Sequence, residues 1–387
     1  MNPVSEIRAE SFSKLKESQR VSILIFTGHS GGHLFPAVAF AESYKESHPG
    51  ASISLITSEK GKVFLEERTL PFEEIDYLAP FPFPKSIFSV EVLIFLKNLI
   101  AGFVESFRLI RRLRPSLCIG FGSYASFPGI LMSAWFKIPT LIHEQNRVYG
   151  KATRELMKFV DCVGLAFHDN LSVASSEKVH FVGLPIRNDL LKRKIKEKVA
   201  RSPAESFCLL VTGGSQGARR LNEIVLSALS LLNNEEKKKL AVNHITGFED
   251  SEKIRSQYLA LGIQANICSF SQEMGQFYQE ADMAITRAGS NTLFELACFQ
   301  IPAVVIPYPH ASSHQSANAQ YFADQGAVLW REEKELTPDW LLEQIRLLSE
   351  DSQFAKEISQ KISSLSTPGA ANRLVSLADQ LIGEYQK

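Results

Sequence analysis

Short apolar runs alternate along this chain with longer segments in which apolar residues recur at helical spacing. The first run, Val21 to Phe26, leads into a glycine-rich stretch and then into an apolar-periodic segment from Leu34 to Tyr44. We interpret this order as strand, loop and helix. Further strands are predicted downstream, with helical patterns between several of them, at Ser52–Thr57, Leu117–Gly120, Thr140–His143, Cys162–Leu165 and Val179–Val182.

The same alternation is repeated in the second half of the chain. Phe207 to Val211 forms an apolar run that opens a second glycine-rich stretch. The strands predicted after it are Val242–Thr246, Ala265–Cys268, Met283–Thr286 and Ala303–Ile306. Strands that alternate with helices predict parallel sheets covered by helices. The sequence therefore predicts two α/β domains built in the same way.

The domain boundaries follow from length and local composition. A chain of 387 residues is long enough for two domains of ordinary size. We predict a polar extension over residues 1–20, a first domain over 21–187, a basic linker over 188–205 and a second domain over 206–367. The remaining segment, 368–387, is predicted to be a helix. By analogy with transferases made of two Rossmann-like domains, this helix is expected to pack back on the first domain.

Charge and cysteine content disfavour several classes of protein. Lysine plus arginine and aspartate plus glutamate both total 42, so no global field draws the chain to nucleic acid. The most apolar stretch, Val92 to Val104, is shorter than a bilayer span, and we predict surface attachment at most. Five widely spaced cysteines without a CxxC pair disfavour a disulfide framework and a zinc site, and favour a reducing cytoplasm: Cys118, Cys162, Cys208, Cys268 and Cys298.

Each half begins with a strand that ends in a glycine-rich turn before a helix. Such a turn presents unpaired backbone N–H groups and the positive end of the helix dipole, which suits an anionic phosphate. Neither turn contains the GK[ST] ending of a P-loop. The alternative is that these glycines only make tight turns. The turns consist of Gly28, Ser30, Gly31, Gly32 and His33 in the first half, and of Gly213, Gly214, Ser215, Gln216 and Gly217 in the second.

Several longer motifs make a more specific match. They read, in order, GHSGGHLFPA, GFGSYASFPG, IHEQNRVYGKATR, VTGGSQGARRLNE and TRAGSNTLFELA followed by HQSANA. This series resembles the MurG family of bacterial cell-wall glycosyltransferases. The resemblance implies the GT-B architecture, in which two Rossmann-like domains with parallel sheets face each other across a cleft. It implies that the first domain binds an undecaprenyl-linked muramyl-peptide acceptor and that the second binds UDP-N-acetylglucosamine.

The resemblance also implies a reaction. N-acetylglucosamine would be transferred to the C4 hydroxyl of the muramyl sugar of lipid I, which gives lipid II with inversion at the anomeric carbon. Three other functions stay open: a related lipid-linked glycosyltransferase of the diacylglycerol type, a nonhydrolysing UDP-sugar epimerase, and a non-catalytic subunit that binds sugar nucleotides. The HEQN and GGSQGAR motifs argue against the first, and the full motif set argues against the last.

The sequence departs from the family pattern at five positions. His29 and Ser30 replace a glycine and a threonine of the first glycine-rich motif, and Ser123 replaces a glycine of the next. Leu184 stands where the family has asparagine, and Ser313 where it has aspartate before the HQ pair. These departures affect details of sugar contact and leave the predicted reaction class unchanged.

The resemblance assigns donor-binding roles in the second half. Arg287 is expected to contact the nucleotide phosphates, and the carboxylate of Glu295 to accept both ribose hydroxyls. His314 and Gln315 are expected to read the sugar. The alternatives are a surface carboxylate for Glu295 and an ordinary polar loop for the HQ pair. The full set of expected donor residues is Arg187, Ser215, Asn222, Arg287, Gly289, Ser290, Asn291, Thr292, Glu295, His314 and Gln315.

Transfer requires a base for the acceptor hydroxyl and stabilisation of the departing UDP. The candidate bases are His33, at the start of the first helix, and Glu144 of HEQN. The alternative for His33 is that it positions a substrate and does not act as the base. His143 is expected to be structural. The acceptor and its diphosphate are expected to meet Ser30, Gly31, Gly32, Tyr124 and Asn146. We predict neither a metal site nor a cofactor.

A lipid-linked acceptor implies that the protein works at the membrane. We expect a peripheral location on the cytoplasmic face of the inner membrane. Residues 87–114 combine apolar side chains at helical spacing with Arg108, Arg111, Arg112 and Arg114, which suits an anionic membrane surface. The alternative is that most of these apolar residues belong to the domain core. Other cell-wall synthesis proteins are further expected partners.

Overall fold

The computed structural model describes residues 20–66, 69–78, 90–168, 177–195, 206–214, 218–247, 251–309 and 314–385. In these ranges the strands form two parallel sheets. The first sheet has seven strands in the order β3-β2-β1-β4-β5-β6-β7, and the second has six in the order β10-β9-β8-β11-β12-β13. The two-domain parallel α/β fold predicted from the sequence is confirmed.

The first sheet consists of β1 Ser22–Thr27, β2 Ser52–Ser58, β3 Glu74–Leu78, β4 Leu117–Phe121, β5 Thr140–Glu144, β6 Cys162–Leu165 and β7 Val179–Phe181. Its helices are α1 Gly31–Ser47, α2 Lys62–Leu65, α3 Val90–Leu113, α4 Phe127–Trp135 and α5 Lys151–Leu156. A 3-10 helix at Tyr124–Ser126 precedes α4. The strands read as continuous apolar runs because helices cover the sheet, so that every residue of β4 and β5 is buried.

The second sheet consists of β8 Phe207–Thr212, β9 Leu240–Ile245, β10 Gln264–Cys268, β11 Met283–Thr286, β12 Ala303–Val305 and β13 Leu329–Trp330. The remaining helices are α6 Asn188–Ile195, α7 Arg219–Ser230, α8 Asn234–Lys238, α9 Ser251–Leu261, α10 Met274–Glu280, α11 Ser290–Phe299, α12 His314–Asp324, α13 Pro338–Glu350, α14 Ser352–Ser364 and α15 Ala370–Tyr385. The strand order in both sheets reverses next to the first strand of the domain, β1 or β8. Ligands of open α/β sheets bind at the carboxyl ends of strands at such a reversal.

Two segments connect the domains. The segment interpreted as a linker begins with α6, which packs against α10 of the second domain, while residues 196–205 lie outside the described residues. The linker interpretation missed this helix because three of its eight residues are basic and, among its described side chains, only Leu190 is fully buried. At the end of the chain, α15 packs against α1, and its residues Leu374 and Ala378 belong to the core of the first domain. Residues 1–19 of the predicted extension also lie outside the described residues.

Two edge strands, β3 and β13, were not predicted. β3 contains alternating acidic and apolar residues that are mostly half-buried, and β13 has only two residues. An edge strand that is very short or partly polar gives a weak apolar pattern because only part of it packs on the core. Among the helices of the described ranges, none combines the length and the apolar character that a membrane crossing requires.

Candidate active site

A cleft of about 1030 Å³ lies between the carboxyl edges of the two sheets. Both domains line it, and several hydrogen bonds cross it, such as the one that Asn291 Nδ2 donates to the carbonyl of Gly31 at 3.0 Å. Fourteen of the predicted site residues line this cleft: Ser30, Gly31, Gly32, His33, Asn146, Arg187, Arg287, Gly289, Ser290, Asn291, Thr292, Glu295, His314 and Gln315.

The first glycine-rich turn leads from β1 into α1, with Ser30 at the N-cap position. Ser30, Gly31 and Gly32 line the cleft, so the start of this helix is available to an anion, which helix N-termini bind through their first N–H groups. His33 follows in the first turn, and its ring is enclosed by two glycines. A Cβ atom at Gly28 would lie 2.9 Å from His33 Cδ2, and one at Gly122 would lie 2.8 Å from His33 Nδ1. The glycines are therefore required for this position of the imidazole.

The His33 ring is held by one hydrogen bond in the first domain. Its Nδ1 lies 3.1 Å from Oε1 of Gln145, a residue that is almost fully buried directly after β5. Burial lowers the pKa of His33, and the Gln145 hydrogen bond and the charge of Glu144 oppose this effect. A lowered pKa keeps the imidazole neutral near pH 7, which is the form that accepts a proton.

Both carboxylate oxygens of Glu144, the other candidate base, accept hydrogen bonds from the loop that follows β5. One carboxylate oxygen accepts hydrogen bonds from the backbone N–H of Asn146 at 3.0 Å and from its side chain at 3.2 Å. The other oxygen accepts from the N–H of Gly150 at 3.1 Å. Glu144 is buried and does not line the cleft. Its position is that of a carboxylate that shapes residues 144–150, and we therefore do not include it among the reacting groups.

The donor side is built around the start of α11, which follows β11. Gly289 occupies the N-cap position without a side-chain cap, so Ser290, Asn291 and Thr292 present their N–H groups at the cleft. Glu295, one turn further on, is buried and accepts a hydrogen bond of 2.6 Å from the hydroxyl of Tyr278. Burial raises the pKa of Glu295, and the charge of Arg187 counteracts this. The alternative interpretation, a surface carboxylate, does not describe this buried residue.

Two buried arginines, Arg187 and Arg287, line the cleft. The guanidinium of Arg187 lies 4.2 Å from the centre of the Phe35 ring, and its Nη1 lies 3.4 Å from Oδ2 of Asp189. Within the described residues its Nε has no hydrogen-bond partner. Arg287 donates to the carbonyls of Ile306 and Pro307 and pairs with Glu333. A direct phosphate contact by Arg287, as expected from the resemblance, requires its guanidinium to leave Glu333 or to use Nε.

The HQ pair, His314 and Gln315, begins α12, and both side chains form hydrogen bonds with the backbone of neighbouring loops. His314 Nδ1 donates to the carbonyl of Val148 in the first domain at 3.0 Å. Gln315 Oε1 accepts from the N–H groups of Ala288 at 3.1 Å and Tyr308 at 2.9 Å. These bonds fix the amide, so that its nitrogen is the group left to donate to a ligand in the cleft.

Comparisons with known proteins agree with this geometry. Residues 23–165 match the glycosyltransferase family 28 N-terminal domain, and residues 208–379 match the family 28 C-terminal domain. A UDP-N-acetylglucosamine–N-acetylmuramyl-(pentapeptide) pyrophosphoryl-undecaprenol N-acetylglucosamine transferase from Myxococcus xanthus is 35% identical over 94% of this chain and 93% of the relative. The enzyme of the same name from Desulfotalea psychrophila is 33% identical over 95% of this chain and 99% of the relative.

The chain belongs to the MurG family of glycosyltransferases. Among solved structures, MurG from Acinetobacter baumannii is similar with a TM-score of 0.69 and 25% identity, over 93% of this chain and 99% of that one. A UDP-GlcNAc 2-epimerase from Neisseria meningitidis shares the fold with a TM-score of 0.64 at 14% identity, over 94% of this chain and 100% of that one. The predicted family, GT-B fold and enzyme class are confirmed.

Besides Glu144, two predicted site residues of this MurG-family chain, Asn222 and Tyr124, do not line the cleft. Asn222 is buried in the second domain, where its Nδ2 donates to the carbonyl of Thr246 and its Oδ1 faces His244. Tyr124 begins the 3-10 helix before α4 and does not line the cleft. Ser215 lies outside the described residues. We therefore leave Asn222 and Tyr124 out of the proposed contacts.

The cleft also contains residues that sequence reasoning missed. Gln145, Tyr278 and Phe35 contact His33, Glu295 and Arg187 respectively. For Gln145 a signal existed, because the alternation of β5 places it on the same side as His143. Phe270 and Met274 line the cleft without any recognisable pattern in the sequence. Three or more His, Cys, Asp or Glu side chains suited to a metal ion do not come together in the described residues.

The departures from the MurG pattern have local effects. Ser123 caps the 3-10 helix by accepting a bond from the N–H of Ala125, and its φ of 65° is a conformation that favours glycine. Leu184 is buried, and its N–H donates to Thr367 Oγ1 at 3.1 Å. Ser313 lies outside the described residues, and nothing in the structure explains His29.

Proposed function

We propose that the chain transfers N-acetylglucosamine from UDP-N-acetylglucosamine to the C4 hydroxyl of the muramyl sugar of lipid I, forming lipid II with inversion. The observation that carries this proposal is the pairing of His33 and Glu295 across one cleft, in a chain of the MurG family. One side holds a neutral imidazole beside a helix N-terminus. The other holds a buried carboxylate beside a second helix N-terminus.

The donor is proposed to bind the second domain. Glu295 has one oxygen committed to Tyr278, and the carboxylate retains acceptor sites for the ribose hydroxyls. The N–H groups at the start of α11 and the Nε of Arg187, which has no hydrogen-bond partner within the described residues, are suited to a diphosphate. Gln315, with its oxygen occupied by backbone N–H groups, would donate to a sugar hydroxyl through its amide nitrogen.

The reaction is proposed to be a single displacement. The acceptor O4 forms a bond to the anomeric carbon while the bond from that carbon to the phosphate oxygen breaks, and UDP leaves with the bonding electron pair. His33 Nε2 takes the proton of the hydroxyl. The two helix N-termini and Arg187 stabilise the charge that develops on UDP, while Arg287 and Glu333 hold residues 306–308 against the cleft.

An assay with purified protein tests this function. Radiolabelled UDP-N-acetylglucosamine is incubated with a short-chain lipid I analogue or with diacylglycerol, and the product is identified by mass. We expect a disaccharide product from the lipid I analogue, and no product from diacylglycerol. Product from diacylglycerol alone would favour the related lipid glycosyltransferase, and no product from either acceptor, with UDP still bound, would favour a non-catalytic subunit.

The acceptor is anchored in a bilayer, and we propose that α3 contacts the cytoplasmic face of the inner membrane. Three residues join the end of α3 to β4, so this end is fixed at the amino edge of the sheet. A helix of 24 residues spans about 36 Å, against about 17 Å for a five-residue strand. The first half of α3 therefore extends beyond the carboxyl edge of the sheet, which is the edge of the cleft.

The exposed residues of α3 form an apolar surface. Leu93 is 68% and Ile100 63% exposed, and Ile94, Leu96 and Val104 are also exposed, whereas Leu109 and Ile110 near the end of the helix are buried. Part of the segment thus belongs to the core, as the alternative interpretation held. Of the earlier candidates for exposure, Phe95 is half-buried, and Ile87 and Phe88 lie outside the described residues.

The arginines of this segment differ in their availability. Arg112 pairs with Glu74 at 2.8 Å and Asp76 at 3.0 Å, and Arg108 lies 3.4 Å from Glu105. Arg111 packs on the ring of Phe107, and Arg114 is exposed. We expect Arg111 and Arg114 to contribute most to binding of anionic lipid, since their charges are less neutralised by neighbours.

Sedimentation with vesicles that contain anionic lipid tests the surface. Ile100→Glu is expected to weaken vesicle binding roughly tenfold or more, because one buried apolar side chain contributes about 1.5–3 kcal/mol. Leu259→Glu on α9 is the matched control, since Leu259 is even more exposed at 81% but lies on the second domain. Equal effects of the two substitutions, or binding that is insensitive to both, would rule out α3 as the contact. Contacts with other cell-wall synthesis proteins stay a prediction.

A further inference from the structure

A chain of hydrogen bonds leads from His33 into the core of the first domain. His33 Nδ1 lies 3.1 Å from Gln145 Oε1, and Gln145 Nε2 lies 3.1 Å from Nδ1 of His143 and 3.0 Å from the carbonyl of His143. At the far end, His143 Nε2 lies 2.9 Å from the carbonyl oxygen of Gly183. The donor and the acceptor of each bond can be assigned by starting from the groups that can only accept, such as carbonyl oxygens.

The assignment starts at the far end. A carbonyl oxygen only accepts hydrogen bonds, so His143 must carry its proton on Nε2. Burial lowers the pKa of His143 to about 4, so this ring is neutral near pH 7 and its Nδ1 is an acceptor. The group that donates to Nδ1 is therefore the amide nitrogen of Gln145.

The carbonyl of His143 independently fixes the same amide orientation. It also accepts from the nitrogen of the Gln145 amide, and a flipped amide would bring two acceptor oxygens together. The amide oxygen therefore faces His33. Because an amide oxygen only accepts, His33 must carry its proton on Nδ1. Its Nε2 then holds a lone pair, and within the described residues no group donates to it.

This tautomer is not the one that a free imidazole prefers. A neutral histidine side chain in water favours the proton on Nε2, and the partner of the other nitrogen decides which form a protein stabilises. In the Nε2–H form His33 could not take a proton from a hydroxyl at the cleft. The direction of one amide thus decides whether the ring can act as a base.

We propose that Gln145 is a positioning residue, which holds His33 in the tautomer with a free Nε2 lone pair facing the acceptor hydroxyl. The proposal deepens the proposed function and rests on His33 as the proton acceptor there. Gln145 acts through His33 and does not itself react. Its residue type is specific, since it must accept from His33 and donate to His143 at the same time.

The buried end of this series of hydrogen bonds, at the carbonyl of Gly183, is restrained by its surroundings. Gln145 and His143 are buried, and Gly183 has a φ of 82° with Thr367 packed against it. A Cβ atom at Gly183 would lie 2.4 Å from Thr367 Cβ, and the next N–H, of Leu184, donates to Thr367 Oγ1. The carbonyl of Gly183 therefore has little freedom to turn away, and the order of donors and acceptors along the chain is preserved.

Two substitutions of Gln145 test the assignment. Gln145→Leu keeps the approximate volume but removes the acceptor for His33, and we expect kcat to fall roughly tenfold with the KM for UDP-N-acetylglucosamine unchanged. Gln145→Glu restores an acceptor for His33 Nδ1 and is expected to recover part of the lost kcat. Its carboxylate would add to the charges around His33, which include Glu144, His29 and His314, and the acid limb of kcat/KM should move to higher pH.

The tautomer is measured directly by nuclear magnetic resonance on histidine labelled with nitrogen-15, with the His33 signals assigned by their loss in His33→Ala. We expect the proton on Nδ1 in the unsubstituted chain and in Gln145→Glu, and a shift toward Nε2 in Gln145→Leu. An unchanged tautomer or an unchanged kcat in Gln145→Leu would overturn the proposal. Thermal unfolding and UDP binding confirm that the variants fold. Because the tautomer is read without turnover, failure of the transferase assay would be distinguishable from failure of this assignment.

Discussion

Both domains contain a buried network of histidine and amide side chains at an interior strand of the sheet. In the first domain, His143 of β5 bonds to Gln145, which bonds to His33. In the second, His244 of β9 bonds to Asn222 at 3.0 Å and to the hydroxyl of Tyr258 at 2.9 Å. The first network ends in a nitrogen that faces the cleft. The second is closed, because both ring nitrogens of His244 have buried partners.

The difference shows what turns such a network into part of a reactive site. The residue types are alike, and burial lowers the pKa of the histidines in both, to about 4 for His143 and about 3 for His244. Asn222 Nδ2 donates to the carbonyl of Thr246, which fixes its oxygen as the acceptor from His244. Every polar group there is satisfied inside the core. Only the network of the first domain leaves one lone pair for a ligand.

The strongest test of this distinction is removal of the group that faces the cleft. His33→Ala is expected to lower kcat roughly a hundredfold or more, because a general base is lost, while UDP affinity stays nearly unchanged. Steady-state kinetics and calorimetric titration with UDP measure the two effects. A fall smaller than fivefold would remove His33 from the mechanism, and an equal loss of UDP affinity would indicate a positioning role.

The second domain contributes its own group that is open to the cleft, Glu295. Glu295→Ala should raise the KM for UDP-N-acetylglucosamine and lower kcat/KM tenfold or more, since loss of a charged hydrogen-bond partner costs about 1.5–3 kcal/mol. Tyr278→Phe is the matched control. It removes the bond to Glu295 but leaves the carboxylate, and its effect should be smaller. An unchanged donor KM in Glu295→Ala would contradict the ribose assignment.

The fold and the composition of the cleft could be largely predicted, whereas the two networks could not be told apart. Glycine-rich turns and apolar runs are local patterns that predicted the two sheets and put His33 at the start of a helix, whereas Arg187 and Glu295 came from the resemblance to the MurG family. All three line one cleft. Asn222 was assigned to the donor site although it belongs to the closed network, and Gln145 was passed over. Whether a side chain faces a cleft or the core depends on packing between elements distant in sequence, which no local pattern records.

The closed network should matter for stability and not for turnover. His244→Phe is expected to lower the free energy of unfolding by about 1–3 kcal/mol, because Asn222 Oδ1 and the Tyr258 hydroxyl lose their partner in the core. The kcat of the folded variant should remain within twofold of the unsubstituted value. Urea unfolding and kinetics at a temperature well below the transition measure both. A large loss of kcat in a stably folded variant would place His244 in the reaction after all.

The smallest expected effect is a change in how stability depends on pH. An unfolded histidine titrates near pH 6.5, whereas His244 in the folded chain stays neutral to about pH 3. As the pH falls below 6.5, the unfolded chain therefore binds a proton that the folded chain does not, and the free energy of unfolding decreases. One such group contributes a slope of at most about 1.4 kcal/mol per pH unit. In His244→Phe the decline between pH 6.5 and 5 should be shallower by up to this amount, even though the variant is less stable at pH 7.5.

Urea unfolding at several pH values measures the slope, with His168→Phe, the replacement of an exposed histidine, as the control. An identical slope in His244→Phe and the unsubstituted chain would mean that the second network takes up a proton in the folded state and is not closed.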